Sequence, residues 1–343
     1  MINDNPLVTV IVASYNHHEF LVERMESLLK QDYSNIEIIV IDDASTDKSV
    51  EVLSQYEIYP QVTLISLKRN IGWVAVSNLG AELALGEYVV FANCDDFANT
   101  SQIGELVNSL NSNPLAGMSF TRSYIVNEFG AILSDDFSGR GRKFKKKCIR
   151  DCLLSSKTMQ DFLFHSIVIP NLSAAMFRRS IFLDVGKFSE KIQIAVDWEM
   201  YFRISKKHQV AYISKPLNYF RSHSQSIRSN TRVQAMQRDI TSLLLNEIRN
   251  SKVSVLRKLK YRHRVMYLLI LTIRSLRRSD FVDFYYLVVN ACRIDVICCL
   301  VFPVAFASRL ARVPVGLLIR GRMILKDSFK QHSRRYSDYT RVN

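Results

Sequence analysis

Short apolar runs rich in β-branched residues alternate with stretches of helical spacing along the first 120 residues, and this alternation constrains the fold more than any other feature. Val8 to Ala13, Ile36 to Ile41, Val62 to Leu67 and Tyr88 to Ala92 read as buried strands. Glu19 to Gln31, Lys48 to Gln55, Val74 to Leu85 and Gln102 to Leu110 read as the helices between and after them, and Met118 to Phe120 begins a further strand. Strand–helix alternation implies right-handed crossovers and a mostly parallel, Rossmann-like α/β sheet flanked by helices. Ligands in such sheets bind beyond the carboxyl ends of the strands. The residues just after Ala13, Ile41, Leu67 and Ala92 are therefore the informative ones.

Carboxylates crowd those positions. The first run ends in Ala13-Ser14-Tyr15-Asn16, the second in Asp42-Asp43-Ala44-Ser45-Thr46-Asp47, and the fourth in Asn93-Cys94-Asp95-Asp96. Clustered carboxylates repel one another and need a cation or hydrogen-bond donors to stay ionised. Oxygen ligands suit magnesium or manganese, which bridge carboxylates to a substrate diphosphate. Ordinary helix capping explains Asp47, which directly precedes a helix, but fits Asp95 and Asp96 poorly.

Charge separates the chain into two parts. Residues 1–140 hold 7 Lys/Arg against 19 Asp/Glu, and residues 141–343 hold 39 against 13. An acidic front suits a cation, and a basic back suits phosphates or acidic lipid. A nucleic-acid partner is not expected, because the basic half carries no recognisable binding motif and is interleaved with apolar runs. The six cysteines include no CxxC pair, which argues against zinc. Asn3-Asp4-Asn5 precedes a short strand, not a long apolar run, so a cytoplasmic location with free thiols is expected.

The ordered strand-end motifs resemble family 2 glycosyltransferases of the GT-A fold over about residues 7 to 228. Ser14-Tyr15-Asn16 looks like the family's first donor-binding segment and Asp42-Asp43 with Ser45-Thr46-Asp47 its second. The resemblance implies that Asp43 accepts a hydrogen bond from the nucleotide base and that Tyr15 stacks near it. Asn70, Gly72 and Asn78 match the next block, in which Asn78 begins to line the base pocket. In Cys94-Asp95-Asp96, Asp95 is expected to face the ribose and Asp96 to hold the cation, Mn2+ or Mg2+. Gly86-Glu87-Tyr88 matches the stretch entering the fourth strand. The family often has Asp where this chain has Asn93, Arg at Ser77 and a second acid at Val196. Ser77 removes a contact to base or phosphate.

Further on, Ala174 to Phe177 reads as a strand, Asp197 to Lys206 as a helix, and Val210 to Ile213 as a strand. By the same resemblance, Asp197 in Val196-Asp197-Trp198-Glu199 is the catalytic base, at a helix start whose dipole favours a carboxylate. Glu199 competes for that role. Asn171 to Arg179 with Gly186-Lys187-Phe188 resembles the acceptor side, and Tyr219-Phe220-Arg221-Ser222-His223 the closing motif, in which His223 joins the metal shell or touches the diphosphate. Arg221 and Arg228 are candidates to neutralise that diphosphate. The segment Arg140 to Arg150 reads as a mobile basic loop, and so as a candidate lid.

These readings divide the chain into a GT-A domain over 1–230, with a donor half to about 122 and an acceptor half from 123, and a helical basic extension over 231–343. The extension holds apolar pieces at Val265 to Ile273, Val296 to Ala307 and Val313 to Ile319, all shorter than the roughly 18–20 residues a membrane span needs. Apolar pieces broken by arginine suit helices lying in a membrane interface. The expected partners are a nucleotide-sugar donor, with UDP the expected nucleotide, a saccharide or lipid-linked saccharide acceptor, and the inner face of the cell membrane. The expected activity is inverting transfer of a sugar to an acceptor hydroxyl in assembly of a bacterial surface polysaccharide. The competing class is a non-catalytic nucleotide-binding or scaffold protein on the same fold.

Overall fold

A computed structural model describes residues 5–166, 168–169, 171–192, 194–223, 233–272 and 281–310. The chain begins with β1 (Val8–Ser14), α1 (His18–Leu29), β2 (Ile36–Asp42), α2 (Ser49–Ser54), β3 (Val62–Ser66), α3 (Trp73–Leu83) and β4 (Tyr88–Phe91). It continues with β5 (Phe97–Ala98), α4 (Gln102–Asn111), β6 (Ala116–Val126), β7 (Ile132–Asp135), α5 (Arg142–Lys147) and β8 (Cys152–Leu154). Next come α6 (Ser156–Leu163), β9 (Ala175–Arg178), α7 (Arg179–Asp184), α8 (Val196–Lys207) and β10 (Gln209–Arg221). The remaining described helices are α9 (Val233–Asn250), α10 (Val255–Thr272), α11 (Phe281–Ile294) and α12 (Ile297–Leu310).

The strands form one sheet in the order β3-β2-β1-β4-β9-β6-β10-β5. The first four are parallel, as the alternating sequence predicts. Beyond β4 the sheet becomes mixed, because β9 runs antiparallel to both β4 and β6 while β10 is parallel to β6. In register, Ser14 lies beside Asp42 and Asp42 beside Ser66, so three strands end on one level.

Apolar residues cover both faces of the parallel half. Val8, Val10 and Val12 of β1 pack with Leu21, Met25 and Leu28 of α1 and with Ile103, Leu106, Val107 and Leu110 of α4, which recur at helical spacing. Ile39 and Ile41 meet Val76 of α3 on the opposite face. At Gly80 of α3, an added Cβ would lie 2.5 Å from Ile11 Cγ2, so this helix approaches the strand as closely as it does only because glycine stands there.

β10 is longer than the short strand expected at Val210 to Ile213. Its pairing with β6 shifts register on both sides of Pro216, which has no N–H for the ladder, and then resumes to Arg221. This long strand carries the chain from the core out to the strand ends.

The segment Arg140 to Arg150 is not the mobile loop its charge suggests. It contains α5, whose Phe144 is buried against Phe162 and Tyr212 at centroid distances of 5.3 and 5.2 Å. Arg140 is buried, paired with Asp136 and placed 5.1 Å over the Phe144 ring. A folded segment pinned through its own aromatic and arginine is a poor lid. The thiols of Cys148 and Cys152 lie 3.7 Å apart and are free.

Two compact units divide at Leu243/Leu244, within α9. In the second unit, Arg262 forms a buried ion pair with Asp295 at 2.6 Å, and Asp295 also accepts the Ile297 amide at the start of α12. No helix among the described residues is long and apolar enough to cross a membrane. The apolar piece at Val313 to Ile319 lies outside the described residues.

Candidate active site

The first wall of the site is sewn from the ends of β1, β2 and β3. Asn16, at φ +53°, donates its amide to Ser45 Oγ at 2.9 Å and accepts the Thr46 amide on its side-chain oxygen at 2.8 Å. Asp42 is buried and accepts from the Ser45 amide and hydroxyl at 2.8 and 2.5 Å. Asp43 donates its amide to the Ser14 carbonyl at 2.8 Å. Its carboxylate accepts the amides of Ile71 and Gly72 at 2.7 and 2.8 Å. Gly72 stands at φ +87°, a left-handed conformation that glycine adopts without steric cost. Asp43 therefore sets the turn into α3 as well as facing the open space.

Asp47 is a capping residue, as its position suggests. It accepts the Ser49 amide at 2.9 Å and contacts His18 Nδ1 at 2.9 Å. Burial opposes its ionisation, but the hydrogen bonds from Ser49 and His18 outweigh that and hold its pKa at about 2.

The second wall follows β4. Asp96 is only 1 % exposed. Its carboxylate accepts from Asn171 Nδ2 at 2.6 Å, Ser173 Oγ at 2.7 Å, the Arg221 amide at 3.0 Å and Asn93 Nδ2 at 3.3 Å. Burial and the neighbouring Asp95 push its pKa up to about 7, against the charge of the buried Arg24 and these donors. Protein groups thus occupy the oxygens that the sequence reading offers to a cation, and Asp96 is a buried hub of the fold. The Asn93 departure makes sense at this hub, since an amide there donates to Asp96 where a third carboxylate would repel it.

Asp95 is the carboxylate that faces outward. It lies 3.0 Å from His223 Nε2. Burial raises its pKa, but the His223 hydrogen bond and the charges of His223 and His17 lower it more. One ring nitrogen each from His17 and His223 and one oxygen of Asp95 lie within 4.8 Å of one another, so these three side chains fit a divalent cation. Asp95, and not the buried Asp96, is the carboxylate grouped with His223 in this cluster.

Two other residues expected at the donor make contacts within the fold. Asn78 is buried, and its amide group donates to and accepts from the Phe188 backbone at 2.9 Å each, so it braces α3. Arg221 is buried as well. It donates to the carbonyls of Asp95, Asn127 and Glu128, pairs with Glu23, and lies 4.9 Å over the Phe20 ring. These contacts make it a strut under the Asp95 loop. Arg228 lies outside the described residues.

Asp197 enters from the first turn of α8 and accepts the Trp198 amide at 2.8 Å. Val196 beside it is fully buried, a place where a second acid would lack solvation. Glu199 is clasped by two Arg203 nitrogens at 2.7 Å each, which removes it from competition as a base. A cavity of about 550 Å³ joins these parts: Ser14, Tyr15, Asp43, Asn70, Asp95 and Asp197 all line it, with His17, Ser77, Trp198, Tyr201 and Phe220. Asn16, Asn78, Asp96, Arg221 and His223 are not among the residues that line it.

Sequence reasoning missed His17 and Arg24 in these positions, and it read Asn171 and Ser173 as part of an acceptor-side segment and not as donors to Asp96. The adjacent histidines after Asn16 are the one local signal that points to His17. Arg24 donates to the Asn93 carbonyl at 2.8 Å from inside α1, where only the tertiary fold reveals its use.

The model of the family described as Glycosyl transferase family 2 matches residues 9–186, more than half of the chain. An uncharacterized glycosyltransferase of Haemophilus influenzae is 27% identical over 256 residues, covering 71% of this chain and 76% of that protein. Chondroitin synthase of Escherichia coli is 25% identical over 211 residues, covering 61% of this chain and 28% of the synthase. Among solved structures, S. aureus TarS 1-349 in complex with UDP-GlcNAc superimposes with a TM-score of 0.66 at 17% identity, over 84% of this chain and 81% of that one. The mannosyltransferase PcManGT of Pyrobaculum calidifontis, in complex with GDP-Man and Mn2+, superimposes with a TM-score of 0.59 at 18% identity, over 98% and 84%. These likenesses identify the mixed sheet and its helices as the GT-A fold. With the family match, they establish that this chain belongs to glycosyl transferase family 2 and is a glycosyltransferase.

Proposed function

We propose that this glycosyltransferase moves a sugar from a nucleotide-diphosphate donor to an acceptor hydroxyl by a single inverting displacement, with Asp95 and His223 as residues that would hold a divalent cation. The observation that carries the reading is the one cavity lined by Asp43, Asp95 and Asp197. Tyr15, Asn70 and Asp43 lie on the nucleotide side, and Asp197 is the base. The Asp197 carboxylate takes the acceptor's proton as that oxygen attacks the anomeric carbon from the face opposite the diphosphate, whose bond to the sugar breaks. A divalent cation, when bound, supplies the positive charge that stabilises the departing diphosphate. The UDP-GlcNAc in TarS supports a UDP-linked donor, and the Mn2+ in PcManGT supports a metal requirement. The chondroitin synthase relative supports a polysaccharide product.

The test is transfer from UDP-sugars to saccharide acceptors with Mn2+, reading product anomeric configuration by NMR. Asp197→Asn should lose about 10²–10⁴ in rate while a UDP-induced thermal shift persists. A variant as fast as the parent, or a product that retains the donor configuration, sinks this mechanism. Nucleotide binding without turnover of any donor returns the scaffold reading.

We further propose that the second unit binds the inner membrane surface. On α12 and its start, Val296, Leu300 and Val304 recur every four residues and are exposed by 74%, 76% and 59%. Residues 241–343 hold 20 Lys/Arg against 6 Asp/Glu, which suits acidic head groups. Full-length protein should float with anionic vesicles and less with neutral ones, and Leu300→Asp should weaken flotation. Equal recovery in the soluble fraction with and without anionic vesicles refutes it.

A further inference from the structure

We propose that His17 is a third protein ligand of the cation held by Asp95 and His223, and that this second imidazole makes the site select a transition ion such as Mn2+ or Co2+ over Mg2+. This inference rests on the metal-dependent reading above and adds the choice of ion to it.

Three separate segments bring the ligands together: the loop before α1, the loop after β4 and the residues just after β10. A ring nitrogen from each histidine and an oxygen of Asp95 lie within 4.8 Å of one another. The two rings meet edge to face at a centroid distance of 6.0 Å. His17 is held for this purpose from two sides. Its backbone amide donates to Ser49 Oγ at 3.2 Å, which fixes the loop to α2. Its Nδ1 lies 2.6 Å from the Tyr15 carbonyl oxygen. A carbonyl only accepts, so Nδ1 carries the proton and Nε2 keeps the lone pair a cation needs. A carbonyl behind one ring nitrogen is the usual way a ligating histidine is oriented.

The donor set follows. Two imidazoles and one carboxylate are too nitrogen-rich for magnesium, which prefers oxygen ligands and retains its waters. Manganese accepts both donor types, and cobalt and zinc bind imidazole more tightly along the divalent series. With Asp96 buried in its own hydrogen bonds, the described residues offer no second cavity-facing carboxylate at this point to restore an oxygen-only site.

The experiment uses EDTA-stripped, full-length protein, with Mn2+ alone and with Mn2+ plus UDP. Binding is read by the loss of free-Mn2+ EPR signal, with Mg2+ as competitor, and imidazole ligation by electron spin-echo modulation from directly bound nitrogens. The parent should show two coupled imidazoles and prefer Mn2+ by on the order of tenfold or more. His17→Ala should leave one imidazole and weaken Mn2+ at least tenfold, with the Mg2+ affinity changed less than twofold. His17→Gln, which restores a polar side chain but no imidazole, should behave the same. Melting points in EDTA keep a folding defect from passing as lost ligation. A parent with one imidazole, or a His17→Ala protein with parental Mn2+ affinity, overturns the inference. If Asp95→Asn and His223→Ala abolish Mn2+ binding and His17→Ala does not, only the His17 inference fails. If the parent binds no Mn2+ in either condition, the metal-dependent reading fails with it.

Discussion

Two aspartate pairs stand at the ends of β2 and β4, on either side of β1, and each divides its work in the opposite order. In Asp42-Asp43, the first carboxylate holds a turn through Ser45, and the second lines the cavity. In Asp95-Asp96, the first lines the cavity beside His223, and the second is buried under four donors. The reversal has a geometric cause. Asp42 is the last residue of β2, while Asp96 directly precedes β5, which pairs with β10 at Phe97 and Tyr219. That pairing draws Asp96 against the Arg221 amide and leaves Asp95 on the outside of the loop. Adjacent acids in a sequence are therefore not interchangeable, and spacing alone does not tell which one meets the ligand.

The comparison breaks most visibly at Asp96. Asp96→Ala leaves Arg24 without its strongest attractive partner and strands several buried donors, so unfolding free energy should fall by about 3 kcal/mol in a urea titration. Asp95→Asn should do the reverse. Its urea midpoint should hold, while sugar transfer in Mn2+ falls about 10²-fold or more. If the two variants exchange these phenotypes, the metal position belongs to Asp96 after all.

The other pair sharpens the contrast at smaller cost. Asp43→Ala should weaken UDP binding and lower stability by about 1–2 kcal/mol, since it frees the Ile71 and Gly72 amides. Asp42→Ala should cost about 1 kcal/mol and leave UDP affinity unchanged. Asp47 is the smallest test. Its pKa of about 2 lies below the unfolded value of 3.8, so its contribution is present above pH 4 and disappears as pH falls through 2. Asp47→Asn should therefore lower stability at pH 6 by about 1 kcal/mol after solvent screening, and the difference from the parent should close near pH 2.

Much of the fold was legible because local periodicity reports burial. The runs at Val8, Ile36, Val62 and Tyr88 became β1 to β4, since strands buried on both faces must be continuously apolar. Asp197 and His223 were singled out through motif resemblance, and their roles belong to the proposal. Arg140 to Arg150 was misread because its seven cations mask Phe144, and one buried aromatic in a basic run has no periodic signature. The partners of Arg221 and Asn78 within the fold were not legible, because residue type announces hydrogen-bonding capacity but not which partner will use it. Arg221 is consumed by backbone carbonyls and Glu23, and Asn78 by Phe188 more than a hundred residues away in sequence.

The amino-acid order by itself determined the alternation of strands and helices, the residues at which the strands end, and the kinds of acid that follow them. Those properties depend on patterns a few residues long, where side-chain hydrophobicity and backbone geometry act directly. Only the tertiary structure decided that Asp95 faces the cavity and Asp96 the core, that Arg24 and Ser173 brace them, and that His17 comes within reach of His223. Those outcomes depend on contacts between distant segments, and a carboxylate's role follows from the donors the rest of the fold places around it.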